Sequence, residues 1–95
     1  MSTYRLTCYC SACNSPKGSR ETASGKQATK GVTVAVHPSK YVKNRKIYID
    51  GIGSRYIQDK HGNSVDVIDV YIGEYSVCPC SKHPYSGKRV KVTGM

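Results

Sequence analysis

Hydrophobic and polar residues alternate in short runs along this chain, and turn-forming residues separate the runs. Alternation with a period of two marks a strand with one buried face. Six runs stand out: 3–10 (TYRLTCYC), 32–36 (VTVAV), 46–50 (KIYID), 54–58 (SRYIQ), 67–72 (VIDVYI) and 89–93 (RVKVT). Nowhere do apolar residues recur at helical spacing for three turns, and one helical turn near Ser39–Val42 is the most the pattern supports. Asp50-Gly51-Ile52-Gly53 has the chemistry of a tight hairpin between the third and fourth runs. Lys60-His61-Gly62-Asn63 turns the chain before the fifth. Segment 14–31 is polar and loop-like. Without repeats, low-complexity tracts or a linker, residues 1–95 read as a single domain. Six short strands with little helix predict a small closed all-β barrel.

The fifth run raises the functional question. In a strand through 67–72, Ile68, Val70 and Ile72 share one face, while Val67, Asp69 and Tyr71 share the other. The first set reads as core. Asp69 is then a carboxylate in mid-strand, where Asp is disfavoured and solvation is reduced. Partial burial raises a carboxyl pKa, which a general acid working near neutral pH needs. The plainer alternative is an edge carboxylate facing water or a lysine. Asp59 falls at the exit of the fourth run, where Asp commonly caps a turn, and Asp66 reads as simple turn chemistry.

Charge sharpens the question. Three of the six acidic residues fall between Asp59 and Asp69, in a chain with fifteen Lys and Arg and a net charge of +9. Such a balance argues for an anionic partner or surface: nucleic acid, membrane or a polyanionic cell wall. Eight tyrosines with no Trp or Phe give aromatics that all carry a polar tip, suited to half-buried positions or a cleft. The amino-terminal MSTYRLTCYC lacks an apolar run of signal-peptide length, and no segment approaches a membrane span. The expectation is a soluble chain: a cytoplasmic pool, one exported without a recognisable cleavable signal, or one taken from a mature form.

Five cysteines form two clusters, Cys8, Cys10 and Cys13 near the start and Cys78 and Cys80 near the end. The odd count leaves three options open: a thiolate zinc site, one disulfide with free thiols, or packed reduced cysteines. A zinc-ribbon-like nucleic-acid-binding protein is a rival from another class. The spacing disfavours it, because one residue between sulfurs is short of the usual two to four of a zinc knuckle. An RNA-binding aromatic and basic stacking motif is lacking too.

Together these pieces resemble one family. Cys8-Tyr9-Cys10 with Cys13, then Thr22-Ala23-Ser24-Gly25, then Gly31 through Ala35-Val36-His37-Pro38, look like the 3D (three-aspartate) domain. So do Ile47-Tyr48-Ile49, Gly51 and Gly53, Gln58-Asp59 with Gly62, Ile68-Asp69-Val70-Tyr71, and Gly87 before Arg89-Val90-Lys91-Val92. The resemblance spans residues 4 to 92 and rests on the order and spacing of motifs that are each weak alone. It implies a six-stranded double-psi β-barrel, similar to the catalytic barrel of MltA-type lytic transglycosylases and to barwin and expansin barrels. The implied activity is cleavage of the MurNAc–GlcNAc bond of peptidoglycan with a 1,6-anhydro product, at a bacterial cell wall or in a phage-associated protein.

Two of the family's three aspartates carry over to Asp59 and Asp69, while His37 stands where the first is expected. Gly62-Asn63 replaces a glycine pair, and Cys78-Pro79-Cys80 is not a usual feature of the family. The resemblance implies Asp69 as the acid/base, with Asp59 as the neighbour that raises its pKa or stabilises the transition state. Thr22, Ser24, Gly25, His37 and Tyr71 are the expected substrate-binding residues. Thr22 and Ser24 would offer hydroxyls, Gly25 close backbone approach, and His37 a hydrogen bond to one of the carboxylates; an ordinary loop and a solvent-facing histidine are the plainer alternatives. The expected partners are peptidoglycan glycan strands and anionic wall polymers, bound by a monomer without a cofactor. A non-catalytic, expansin-like wall-binding barrel is the main rival.

Overall fold

The computed structural model describes residues 2–13, 21–75, 80 and 83–95, with backbone alone at Ser2 and Cys13. Its strands are β1 (Ser2–Tyr9), β2 (Thr33–Val36), β3 (Arg45–Ile49), β4 (Gly53–Lys60), β5 (Val67–Tyr71) and β6 (Arg89–Thr93). These are the six alternating runs of the sequence, displaced by one or two residues at their ends. They close into an all-β barrel in the order β1-β5-β2-β4-β3-β6. Strands β1 and β5 run parallel, as do β2 and β4, and the four other contacts are antiparallel. Because β1 pairs with both β5 and β6, the sheet has no open edge to manage. The helical turn is a 3-10 turn at Pro38–Lys40, begun by proline and capped by His37, and another, which the pattern did not predict, lies at Ser11–Cys13. Among the described residues, no helix is long and apolar enough to cross a membrane.

Alternation decides what fills the barrel. Leu6 of β1, Val34 and Val36 of β2, Ile47 and Ile49 of β3, Ile57 of β4, Ile68 and Val70 of β5 and Val92 of β6 form one buried cluster with Tyr4. Each aliphatic side chain placed there contributes about 1.5–3 kcal/mol relative to exposure. The β3–β4 hairpin forms where predicted. Ile52 N–H donates to the Ile49 carbonyl at 3.0 Å, and Gly51 and Gly53 hold φ of 82° and 111°, which side chains rarely adopt.

One irregularity changes what the barrel presents outside. Between β2 and β4 the register runs Val34 with Ile57, then Ala35 with Asp59. Gln58 is therefore an extra residue, a bulge of a kind uncommon between parallel strands. In a regular ladder Asp59 would oppose Val36 and share its inward parity. The bulge turns Asp59 outward, level with Ala35. It is fastened by a buried pair: Thr33 Oγ1 donates to Gln58 Oε1 at 2.7 Å and accepts from Thr29 N at 2.9 Å.

Thr33→Val keeps the shape and removes the hydroxyl, leaving a buried amide oxygen and a backbone N–H unsatisfied. The expected loss is about 1–3 kcal/mol of stability, read from urea unfolding by circular dichroism. An unchanged midpoint would mean that the bulge is held by something else.

Candidate functional site

The strand order brings four residues into one row. Thr7 of β1 is level with Asp69 of β5, Asp69 with Ala35 of β2, and Ala35 with Asp59 of β4. Directly opposed residues project from the same face of a sheet. Asp59 and Asp69 thus flank a single small side chain, about 9–10 Å apart at Cα, two strand spacings. Asp59 is the penultimate residue of β4, close to the exit that its turn chemistry suggested. β4 continues through Lys60, and the bulge at Gln58 sets the aspartate level with Ala35 instead of Val36.

The row is roofed by a second, smaller core on the outer face: Tyr9, Ala28, Ala35 and Tyr71. Val67 and Tyr71, on the side opposite the barrel interior, are as buried as the inward residues, and Ala28 from the loop before β2 packs over Tyr71. Tyr9 and Tyr71 meet edge to face, with ring centroids 5.1 Å apart. The Tyr9 hydroxyl donates to Asp59 Oδ2 at 3.5 Å. A ring on β1 that reaches a carboxylate on β4 requires the four strands to curl together on this face.

The two carboxylates differ in setting. Asp59 accepts hydrogen bonds from Ala23 N at 3.1 Å and Lys60 N at 2.9 Å as well as from Tyr9. Asp69 accepts from Thr7 Oγ1 at 2.7 Å. Burial pushes the Asp69 carboxyl above its ordinary value; Thr7 and the nearby His61 pull against this, while the negative charge of Asp59 adds to it. The Tyr9 hydroxyl is driven far up, first by burial and then by Asp59 and Asp69, so it stays a neutral donor. The arrangement can hold a proton on one carboxyl beside a second carboxylate.

The expected binding residues take several places. Tyr71 lies in the site, two residues beyond Asp69. The Thr22–Gly25 segment also reaches it, but through the backbone of Ala23. Its hydroxyls are engaged within the loop: Thr22 Oγ1 lies 2.9 Å from Ser24 Oγ and donates to the Lys26 carbonyl, and Ser24 Oγ accepts from Lys26 N at 3.3 Å. Gly25, at φ 85°, makes the left-handed corner of this loop. The Nδ1 of His37 accepts from Ser39 N at 3.1 Å rather than facing a carboxylate. The His37 ring lies 6.5 Å from that of His61, which donates through Nε2 to the Val67 carbonyl at 2.6 Å and accepts at Nδ1 from Asn63 N. His37 therefore approaches Asp69 only through His61. Asp66 stays outside the site, in an exposed ion pair with Arg89 at 3.6 Å.

Sequence reasoning missed Thr7, Tyr9, Ala35 and His61. Thr7 and Tyr9 share a face of the first run, a signal that was present, but only the parallel pairing of β1 with β5 shows which face matters.

Both cysteine clusters meet, as their positions at the two chain ends allow. Cys8, Cys10 and Cys80 pack together with Ile72, and the Cys8 thiol donates to the Cys80 carbonyl at 3.2 Å. Burial pushes the thiols of Cys8 and Cys80 up. The side chain of Cys13 and all of Cys78 lie outside the described residues, as do any disulfide or zinc ligand they supply.

No family model, curated protein or solved structure matches the chain. The chemistry is therefore read from the site itself.

Burial makes the native state hold the Asp69 proton more tightly than the unfolded chain does. The Asp69 contribution to stability is then greatest below the ordinary carboxyl value of 3.8 and falls as pH rises through the raised native value. Asp69→Asn keeps an acceptor for Thr7 and removes this slope. Urea midpoints of the variant should exceed wild type at neutral pH and converge with it below pH 3.8. A constant difference across that range would mean that Asp69 does not carry a raised pKa.

Proposed function

We propose that the protein is a peptidoglycan lytic transglycosylase with Asp69 as its single acid/base. The observation that carries this reading is the row Thr7–Asp69–Ala35–Asp59, which pairs a carboxyl of raised pKa with a second, hydrogen-bonded carboxylate across one small residue. A glycosidase that uses water needs an acid and a separate nucleophile or base. A lytic transglycosylase needs one group for both proton transfers, because the sugar's own 6-hydroxyl replaces water.

Protonated Asp69 gives its proton to the glycosidic oxygen as the C1–O bond breaks. The 6-hydroxyl oxygen then bonds to C1, and its proton returns to Asp69, leaving the enzyme as it began. Thr7 holds Oδ1 of Asp69 by its hydrogen bond. Asp59, held by Ala23, Lys60 and Tyr9, places negative charge beside the oxocarbenium-like centre. The net charge of +9 holds such a protein on an anionic wall.

One observation favours a second reading, a wall-binding barrel without catalysis. A histidine stands at position 37, and it is directed to Ser39 instead of to the carboxylates. Both readings lay a glycan across the same face.

Incubation with purified peptidoglycan separates them: the transglycosylase releases anhydromuropeptides detectable by mass spectrometry, and the binding barrel releases none. Asp69→Asn should fold and lose about 10²–10⁴-fold in lytic rate, the worth of a general acid–base group. Asp66→Asn should stay close to wild type. Full activity in Asp69→Asn would exclude the mechanism.

A further inference from the structure

The mouth of the barrel beyond the carboxylate row holds a pocket that the proposed chemistry does not use. It has a volume of about 120 Å³, and its polar lining comes from Lys30, Arg55 and His83, with the rings of Tyr71, Tyr75 and Tyr85 around them. Among the described residues, none of those lining it is acidic. Glu74 borders the adjoining cavity, which shares Lys30 and Tyr71 with this one.

Each cation has donors to offer. The Arg55 guanidinium bonds the Ser54 carbonyl through one terminal nitrogen at 2.8 Å, yet its Nε is buried with no hydrogen-bond partner. A buried guanidinium N–H without an acceptor is an unfavourable arrangement that a ligand oxygen relieves. His83 accepts at Nδ1 from Tyr85 N at 3.2 Å, which leaves the proton on Nε2 as a donor. Lys30 runs alongside Gly73, its Cδ 3.5 Å from where a side chain at that position would begin. Among the described residues, neither Lys30 nor Arg55 is in an ion pair.

We propose that this pocket binds the carboxylate of an acidic saccharide. Three positive or donor groups with no counter-charge call for an oxyanion, and Arg supplies the planar fork that a carboxylate fits. A pocket of about 120 Å³ has room for a carboxylate on a short stem. The tyrosine rings cover the apolar stem. Tyr71 ties the pocket to the row, since it lies two residues beyond Asp69 on the same face, about 7 Å along the strand. The assignment of the carboxylate to a saccharide rests on the glycan-cleaving reading, with the acidic substituent about one sugar unit from the bond at Asp69. The pocket itself does not rest on it.

An NMR titration of ¹⁵N-labelled protein tests the proposal, with N-acetylmuramic acid, acetate and N-acetylglucosamine as probes. N-Acetylmuramic acid should shift the amides of Gly31, Tyr75 and His83, and the neutral N-acetylglucosamine should not. Arg55→Gln and Lys30→Met should each weaken that binding about tenfold or more, as expected for a lost charge-assisted hydrogen bond. Acetate shifting the same amides with equal affinity would keep the carboxylate pocket and assign the ligand to a carboxylate without a sugar. Absence of shifts with both acids, or equal shifts with the neutral sugar, would overturn the proposal, and this needs no variant to fold. The same titration on Asp69→Asn keeps the two ideas apart. Binding retained while lysis is lost supports both, and an Asp69→Asn protein that still lyses removes the catalytic reading while leaving the pocket to stand on its shifts.

Discussion

The hydrogen bond from Thr33 to Gln58 is the contact on which the outer face depends. It secures the one extra residue in β4, and that residue reverses the parity of everything after it. Without the reversal Asp59 would point at the aliphatic interior, where an ionised carboxylate is costly. With it, Asp59 stands level with Ala35 and Asp69, while Lys60 takes the position beside Val36 at the barrel's end and lays its ammonium over the Tyr41 ring at 4.8 Å. One buried side-chain pair thus keeps an acid out of the core and sets it into the row.

The outer face works as a second layer because the chain before β2 folds back over it. Ala28 packs on Tyr9 and Tyr71, and Ala23 N–H reaches Asp59. Small residues matter at both points: alanines at 28 and 35 let two tyrosine rings and two carboxyls lie close to the backbone. Desolvation of Asp69 follows from this roof, and it is the largest influence on that carboxyl. Thr7 opposes it with a hydrogen bond, so Asp69 sits between two tendencies, easier to protonate than in water but still held in place.

The strands were legible because a barrel this small needs every strand to bury one face, and burial of one face writes itself as alternation. Ile68 and Val70 inside, Asp69 and Tyr71 outside, follow from parity alone. Pairing partners were not legible. Alternation says which residues face inward, and it says nothing about whether β1 lies beside β5 or which way they run. Thr7 and Tyr9 could therefore not be joined to Asp69, nor Ala35 recognised as the residue between the acids. The bulge was hidden for a similar reason, since Gln58 and Asp59 look like a strand end until β2 is placed next to them. The loop at Thr22–Gly25 was legible as a segment and not as chemistry. Its hydroxyls close on each other, and the group that reaches the site is a backbone amide that every residue possesses.

Clustered acids in so basic a chain now have an electrostatic explanation. A cation beside Asp69 would lower its pKa and hold it ionised, defeating a role as proton donor near neutral pH. The groups that influence Asp69 are its own burial, Thr7, His61 and Asp59; no lysine or arginine is among them. The surrounding row and roof are Thr7, Tyr9, Ala28, Ala35 and Tyr71, none of them cationic. Surface lysines acting from beyond about 8–10 Å are screened at ordinary ionic strength, and so do not fix the ionisation of a half-buried carboxyl. In the proposed function, charge for attachment and acidity for chemistry conflict only at short range. The fold keeps them apart by setting neutral side chains, Thr7 and Ala35, level with Asp69 and placing cations at the barrel mouth and the outer surface.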